Sequence, residues 1–167
     1  MTLAEAGAEA AALAEAGSER ELSDLRRQWE EEVEMAARSS DYRERAVAYR
    51  AIGQFRFRQK LELLHRGLDD ESPAARGTAL LSLELLSREH PGAINGLRPV
   101  LHELLTHDGN EAVRRLAVVC LKNGSPQRET ILLLASLAQD DDQPRELRDA
   151  AGKVSAALQK RANVAKK

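Results

Sequence analysis

Apolar side chains recur at three- and four-residue intervals along most of the chain, which is the spacing of one face of an α-helix. The first long stripe consists of Leu22, Leu25, Trp29, Val33 and Ala36. Three later apolar segments cover residues 61–68, 97–105 and 131–137. No segment alternates apolar and polar residues in the two-residue period of a strand. The pattern therefore predicts eight short helices between about residues 19 and 160, joined by short loops, and no sheet.

Serine and proline pairs predict where several of these helices begin. Ser18 and Glu21 have the spacing of a capping box, in which each side chain accepts a hydrogen bond from an unpaired backbone N–H group. Ser72 and Ser125 each precede a proline, so they are predicted to be N-cap residues. Residues 1–18 are rich in alanine and glutamate and contain few large apolar anchors, so the sequence allows either an extra helix or a partly disordered tail. The predicted organisation is this segment, a repeat domain over 19–160 and a basic tail over 161–167.

A fourfold repeat is the strongest signal in the chain. An acidic or hydroxyl residue is followed by arginine after six positions, by alanine after nine and by a larger or hydroxyl-bearing residue after thirteen. The four copies are Ser39, Arg45, Ala48 and Ile52; Asp70, Arg76, Ala79 and Leu83; Asp108, Arg114, Ala117 and Leu121; Asp142, Arg148, Ala151 and Ser155. Helical hairpins of this length cannot each bury a core alone, so they are predicted to stack into a solenoid.

The residue types in the repeat suit a structural role. The aspartates can accept from the N–H groups that open the second helix of each hairpin, and each arginine can share its donors among that aspartate, loop carbonyls and the neighbouring hairpin. The small alanine lets helices approach closely. We therefore predict a structural ladder formed by Asp70, Arg76, Asp108, Arg114, Asp142 and Arg148.

The segments DDESPAARGTALLSL, HDGNEAVRRLAVVCL and DDDQPRELRDAAGKV resemble the HEAT-repeat family and its HEAT-like lyase-type relatives. The resemblance covers about residues 20–160. It implies an all-α, right-handed α-α superhelix of about four helical hairpins, with the second helices lining a concave face that binds macromolecules. For function it implies a non-enzymatic scaffold or adaptor that binds a protein partner. An accessory subunit of lyase-like type is a weaker alternative.

Composition narrows the function classes further. The chain has 167 residues, a net charge of −2, one cysteine and only 3% aromatic residues. A single cysteine cannot form an internal disulfide, which favours a reducing, cytoplasmic location. No apolar stretch is long enough for a membrane span and no secretory signal is visible. His102 and His107 are five positions apart, so a regular helix does not present both to one metal ion. Neither a metal, a cofactor nor an enzymatic activity is predicted.

Residues 42–66 combine seven basic residues with four of the five aromatic residues in the chain. Two interpretations follow. Either Tyr49, Phe55 and Phe57 fill the core while the arginines are solvated, or the segment binds nucleic acid by gripping phosphates and stacking bases. The candidate nucleic-acid contacts are Arg43, Arg50, Arg56, Arg58 and Lys60, with Lys160, Arg161, Lys166 and Lys167 in the tail. The candidate contacts to a protein partner are Arg43, Arg50 and Arg115.

Overall fold

A computed structural model describes residues 1–166, and within this range the chain is helical with no strand. The helices are α1 (Leu3–Glu15), α2 (Glu19–Ala37), α3 (Tyr42–Gln54), α4 (Leu61–Leu68), α5 (Pro73–Ser87), α6 (Gly92–Asn95), α7 (Arg98–His107), α8 (Glu111–Leu121), α9 (Arg128–Gln139) and α10 (Arg145–Ala165), with a 3-10 turn at Arg58–Lys60. The all-α prediction is confirmed, and successive helix pairs are consistent with a helical solenoid. None of the described helices combines the length and apolar character needed to cross a bilayer.

The chain forms two compact units, Met1–Leu86 and Ser87–Lys167. In the first unit α1 packs on both α2 and α3, so the N-terminal segment is an ordered helix rather than a disordered tail. In the second unit α7 packs on α8, α9 packs on α10, and α8 packs on α10. Because α10 continues to Ala165, most of the predicted basic tail belongs to a helix. Lys167 lies outside the described residues.

Side-chain caps explain some helix starts, and two of the predicted caps are wrong. Asp41 caps α3 by accepting from the backbone N–H of Arg43 at 2.9 Å, and Ser72 lies 3.4 Å from the amide nitrogen of Ala75 at the start of α5. Ser18 precedes α2 but makes no side-chain cap hydrogen bond. Ser125 does not cap α9, which begins three residues later; its hydroxyl and carbonyl oxygens accept from the Arg98 guanidinium instead.

The aromatic residues of the basic segment lie mainly in the core of the first unit. Tyr49, Phe55 and Phe57 are almost fully buried, and the two phenylalanine rings stack with their centroids 5.3 Å apart. Only Tyr42 is substantially exposed. The interpretation of these side chains as core residues is confirmed for the three buried rings.

The repeated small and aliphatic positions are core positions in both units. Ala48, Ala79, Ala117 and Ala151 have no exposed surface, and the residue four positions after each is also buried. These four residues are Ile52, Leu83, Leu121 and Ser155. Cys120 is buried beside Leu121, as expected of a thiol on an apolar helix face. The sequence repeat therefore marks the side of each second helix that packs inward.

Candidate partner-binding groove

Arg45 links the turn before α3 to the turn before α5. Its Nε and Nη2 donate to the two carboxylate oxygens of Asp70 at 2.8 and 3.0 Å, and its Nη1 donates to the carbonyls of Ser39 and Ser40 at 3.1 Å. Asp70 also accepts from the backbone N–H of Ser72 at 2.9 Å. The hydrogen bonds from Arg45 hold the pKa of Asp70 below its usual value despite burial. The pair therefore joins two consecutive turns through a charged, bidentate contact.

The later ladder arginines also bridge turns, but with different partners. Arg114 donates from Nε to the carbonyl of Leu105 at 3.0 Å and from Nη2 to the side-chain oxygen of Gln143 at 2.8 Å. Arg148 donates from Nε to the Gln143 carbonyl at 3.1 Å. Arg76 donates to the Asp70 carbonyl at 2.8 Å. These guanidinium groups hold backbone and side-chain oxygens of the turns in place.

The predicted role of Asp142 as the backbone acceptor of the last repeat is wrong. Asp70 and Asp108 each accept from the backbone N–H two residues ahead, at 2.9 Å. In the last repeat this acceptor is Asp140, which receives the N–H of Asp142 at 3.0 Å. Asp142 itself is exposed. The DDD run places an aspartate at the predicted offset, but the turn before α10 is two residues longer, so the acceptor lies earlier in the sequence.

A groove between α8 and α10 is the candidate partner-binding site, because its lining combines apolar and charged side chains. It has a volume of about 450 Å³, and we name it the α8–α10 groove. The groove-lining residues of α8 are separated by four and then three positions, and those of α10 have the same helical periodicity. Each set therefore lies on one face of its helix. The lining residues are Arg115, Val119, Lys122, Glu146, Asp149, Ala150, Lys153 and Val154.

Two hydrogen-bonded contacts show that α8 and α10 run in the same direction along this groove. At the start of α8, Arg114 reaches Gln143, which immediately precedes α10. At the end of α8, the carbonyl of Lys122 accepts from Arg161, far along α10, at 2.6 Å. The early part of α8 therefore lies beside the early part of α10, and the ends of the groove can be assigned.

The floor of the groove is apolar and its rim is charged. Val119 and Ala150 are half-buried and Val154 is buried, whereas the five charged lining residues are exposed. Within residues 1–166, the side chains of Arg115, Lys122 and Lys153 have no carboxylate oxygen within 4.0 Å. The groove therefore presents apolar surface beside cations that have not been neutralised by ion pairs.

Comparison with known families agrees with this architecture. A family model described as HEAT repeats matches residues 31–103, which run from α2 into α7. This match supports a relationship to the HEAT-repeat family over residues 31–103. A search of curated proteins found no match to the chain. The family resemblance expected from the sequence is therefore confirmed, and the ladder of Arg45, Asp70 and Arg76 falls within these HEAT repeats.

The three predicted partner contacts lie at different places among the repeat helices. Arg43 is on the first turn of α3, exposed, and paired with Asp41 of its own cap at 3.1 Å. Arg50 is half-buried farther along α3. Arg115 lines the α8–α10 groove. Arg43 and Arg50 thus belong to the first unit and Arg115 to the second.

The prediction that Lys60 contacts nucleic acid is wrong, because its side chain forms a buried ion pair. Only 7% of its side chain is exposed, and its ammonium lies 2.6 Å from Glu34, 3.2 Å from Glu30 and 5.3 Å from the centroid of the Phe57 ring. Burial alone would lower the pKa of Lys60, but hydrogen bonds to the two glutamates outweigh burial and raise it. This ammonium group already has its counter-ions and is shielded from phosphate.

The other parts of the nucleic-acid hypothesis receive little geometric support. Arg56 adopts a φ of 59°, and its Nη1 donates to the carbonyl of Gly53 at 2.7 Å, whereas Arg58 is exposed on the 3-10 turn. Because Tyr49, Phe55 and Phe57 are buried, they are not positioned to stack on bases. The segment therefore offers arginines without the neighbouring aromatic surface on which the hypothesis depended.

Two of the four histidines have polar neighbours across or along the helices. His102 Nε2 lies 2.9 Å from the Thr130 hydroxyl, and burial lowers the pKa of this imidazole. His107 lies 4.0 Å from Glu103 one turn earlier on α7. Among the described residues, no group of three or more histidine, cysteine or carboxylate side chains is arranged to hold a metal ion.

Sequence reasoning missed most of the groove. It selected Arg115 but not Val119, Lys122 or Lys153. The repeat contains a signal for two of these residues. Val119 lies five positions after Arg114 and Lys153 five positions after Arg148, just as Arg115 and Asp149 each directly follow a ladder arginine. Comparing equivalent exposed positions across the repeats would have brought these residues together.

Proposed function

We propose that this chain is a non-enzymatic adaptor that binds a protein partner on the face formed by the second helices of its HEAT repeats. HEAT repeats are commonly protein-interaction scaffolds, and the family is generally non-enzymatic. The α8–α10 groove is the single observation that carries the proposal, because it combines an apolar floor with unpaired cations on two second helices. The partner would lie on the predicted concave face, and a reducing, cytoplasmic setting would suit the single buried cysteine.

The ladder supports this proposal by making the binding surface preformed. Hydrogen bonds from Arg114 to Leu105 and Gln143 fix the start of α8 relative to the turn before α10. Arg161 fixes the end of α8 through the carbonyls of Lys122 and Gly124, at 2.6 and 2.7 Å. A surface that is ordered before binding loses less conformational entropy on association. Arg115, and Arg43 and Arg50 in the first unit, are the proposed polar contacts.

Site-specific photocrosslinking in the native host tests the proposal. A photoreactive amino acid replaces Arg115 in the groove, and a matched variant carries it at Leu132, which is 56% exposed on α9. We expect a light-dependent covalent complex with a protein from position 115 and not from position 132. A third variant at Arg43 asks whether the second-helix face of the first unit participates. Absence of a protein adduct at both 115 and 43, or the same adduct at 132, would contradict the adaptor function.

A further inference from the structure

The charges around the α8–α10 groove are distributed unequally between its two ends. Glu146 and Asp149 lie on the first turns of α10, beside the end from which Arg115 projects. Lys153 lies one turn farther on, and Lys122 lies at the other end, where α8 terminates. Because the two helices run in the same direction, all groove-lining carboxylates are at one end and the two lysines extend toward the other.

The lysine end gains further positive potential from Arg161. Its guanidinium donates to the carbonyls of Lys122 and Gly124, so it is held beside the end of α8. Carbonyl oxygens carry no net charge, so these hydrogen bonds leave the charge of Arg161 unneutralised. Lys122 and Arg161 therefore lie at the end of the groove near the last turn of α8, and Lys153 lies about two helical turns before Arg161 on α10. Carboxylates of a bound molecule would be favoured there and disfavoured beside Glu146, whereas Asp149 is already paired with Arg145 at 3.8 Å.

The floor between these ends requires an apolar group. Val119, Ala150 and Val154 line the groove without polar side-chain atoms, and burying apolar surface on them is favourable. The volume of about 450 Å³ is within the usual range for specific binding pockets. An aliphatic side chain fits this surface chemically better than a sugar or a phosphate does.

We propose that the α8–α10 groove binds a protein segment in which aliphatic residues adjoin an acidic cluster. The aliphatic residues contact the Val119, Ala150 and Val154 floor, and the acidic residues lie beside Lys122 and Lys153. This inference rests on the proposed adaptor function and specifies its partner. A nucleic-acid strand would place phosphates along the whole groove, including beside the Glu146 carboxylate, where like charges repel.

Peptide selection on the full chain provides the first test. A displayed library of random 12-residue peptides is selected against the wild-type protein, and the recovered peptides are sequenced. We expect enrichment of sequences with leucine, isoleucine or valine next to aspartate and glutamate. Recovery of no binding peptide, or of peptides without acidic residues, would overturn the inference.

A charge-reversal variant then locates the selected peptide. We expect Lys122→Glu combined with Lys153→Glu to weaken its binding at least about tenfold by fluorescence anisotropy, because two attractions become repulsions. The matched control, Arg20→Glu with Arg128→Glu, makes the same charge change at exposed positions outside the groove and should leave the affinity unchanged. Equal weakening in both variants would overturn the assignment to the groove.

A charge-swapped peptide distinguishes direct contact from loss of folding. Replacing its acidic residues with lysine should abolish binding to the wild type and restore binding to the Lys122→Glu, Lys153→Glu variant. Failure of this rescue would contradict the proposed pairing. If the inference fails while position 115 still crosslinks a protein, the adaptor function stands and the partner has a different chemistry; if crosslinking also fails, both are wrong.

Discussion

The Arg45–Asp70 pair shows how one repeated arginine connects consecutive hairpins. The carboxylate is only 5% exposed and accepts two guanidinium hydrogen bonds as well as a backbone N–H. A charge this well buried is stable only because each oxygen has donors. The ladder position therefore contributes to stability through a specific partner rather than through charge alone.

We expect Asp70→Asn to lower the free energy of unfolding by about 2 kcal/mol at pH 7, because a charged acceptor is lost. The pKa of Asp70 is depressed in the folded protein, so the unfolded chain takes up the proton first as the pH falls. The wild-type advantage should thus be complete above about pH 4 and disappear progressively below it. Urea unfolding at several pH values measures this difference. Asp24→Asn, at an exposed position, should show little effect at any of them.

Neighbouring arginines on α8 provide a direct comparison between a ladder residue and a groove residue. Arg114→Ala removes hydrogen bonds to Leu105 and Gln143 and should lower the unfolding free energy by about 1–2 kcal/mol. Arg115→Ala removes an exposed side chain that has no ion pair and should change it by less than about 0.5 kcal/mol. Thermal and urea unfolding test both variants. Equal stability of the two would argue against the ladder.

Gly53 is required by close packing between α3 and α5. The Ser82 hydroxyl donates to the carbonyl of Tyr49 at 2.5 Å and accepts the backbone N–H of Gly53 at 3.0 Å. A Cβ atom on Gly53 would lie 2.7 Å from the Ser82 Cα, which is backbone and has no rotamer with which to avoid the contact. Residue 53 therefore sets how closely these two helices approach.

We expect opposite effects from alanine at two helical glycines. Gly53→Ala should destabilise the protein by about 3 kcal/mol, because the added methyl group forces the helices apart. Gly152→Ala on α10 meets its nearest neighbour, Ala138 Cβ, at an ordinary 3.7 Å and should stabilise by about 0.7 kcal/mol. Chemical denaturation measures both. A neutral Gly53→Ala would show that the packing of α3 on α5 is less tight than described.

At the scale of elements, α1 illustrates how small residues dock a helix that has little hydrophobic surface. A capping box of Thr2 and Glu5 starts it, with the two residues exchanging backbone and side-chain hydrogen bonds at 2.7 and 3.2 Å. Ala6, Gly7 and Ala10 form its buried face. Small side chains allow a close approach to α2 and α3, so packing supplies the stability that an isolated helix of this length lacks.

A charge on the buried face of α1 should release this helix. We expect Ala6→Glu to increase amide hydrogen exchange throughout Leu3–Glu15, because a carboxylate has no counter-ion at a position with no exposed surface. Ala8→Glu on the exposed face of the same helix is the control and should keep the protection. Exchange followed by mass spectrometry resolves the two. Loss of protection in both variants would indicate a helix held by propensity rather than by packing.

At the scale of the whole molecule, charge and burial together disfavour nucleic acid as the main partner. The net charge is −2, three of the four aromatic rings in the basic segment are buried, and Lys60 is paired with glutamates. Affinity for nucleic acid depends chiefly on phosphate neutralisation and, for single strands, on exposed rings. Neither requirement is met well by residues 42–66.

The wild-type protein should therefore show negligible retention on a nucleic-acid matrix at about 0.1 M salt. Strong, salt-sensitive retention that disappears when Arg43, Arg50, Arg56 and Arg58 are changed to glutamate would contradict this expectation and the adaptor proposal. Circular dichroism of the quadruple variant confirms that any loss is not due to unfolding. The assay uses both single- and double-stranded DNA.

The all-helical class and the repeat were determined by the sequence, because helical periodicity and the Arg–Ala spacing are local patterns. Burial of Ala48, Ala79, Ala117 and Ala151 follows directly from those patterns. Helix starts were predicted less well: Ser18 and Ser125 have the right residue type, but cap formation depends on the local backbone, and Ser125 instead meets Arg98 from another element. A serine side chain can form a hydrogen bond with several partners, and the residues that surround it in the folded chain determine which one it contacts.

Only the tertiary structure decided the partners of each charge. Lys60 is surrounded by Glu30 and Glu34 on α2, Arg114 reaches Gln143, and the α8–α10 groove combines residues about thirty positions apart. A sequence shows that such residues exist and on which helix face they lie. Whether a cation is neutralised or left open to a partner depends on distances across elements, and those distances are set by packing.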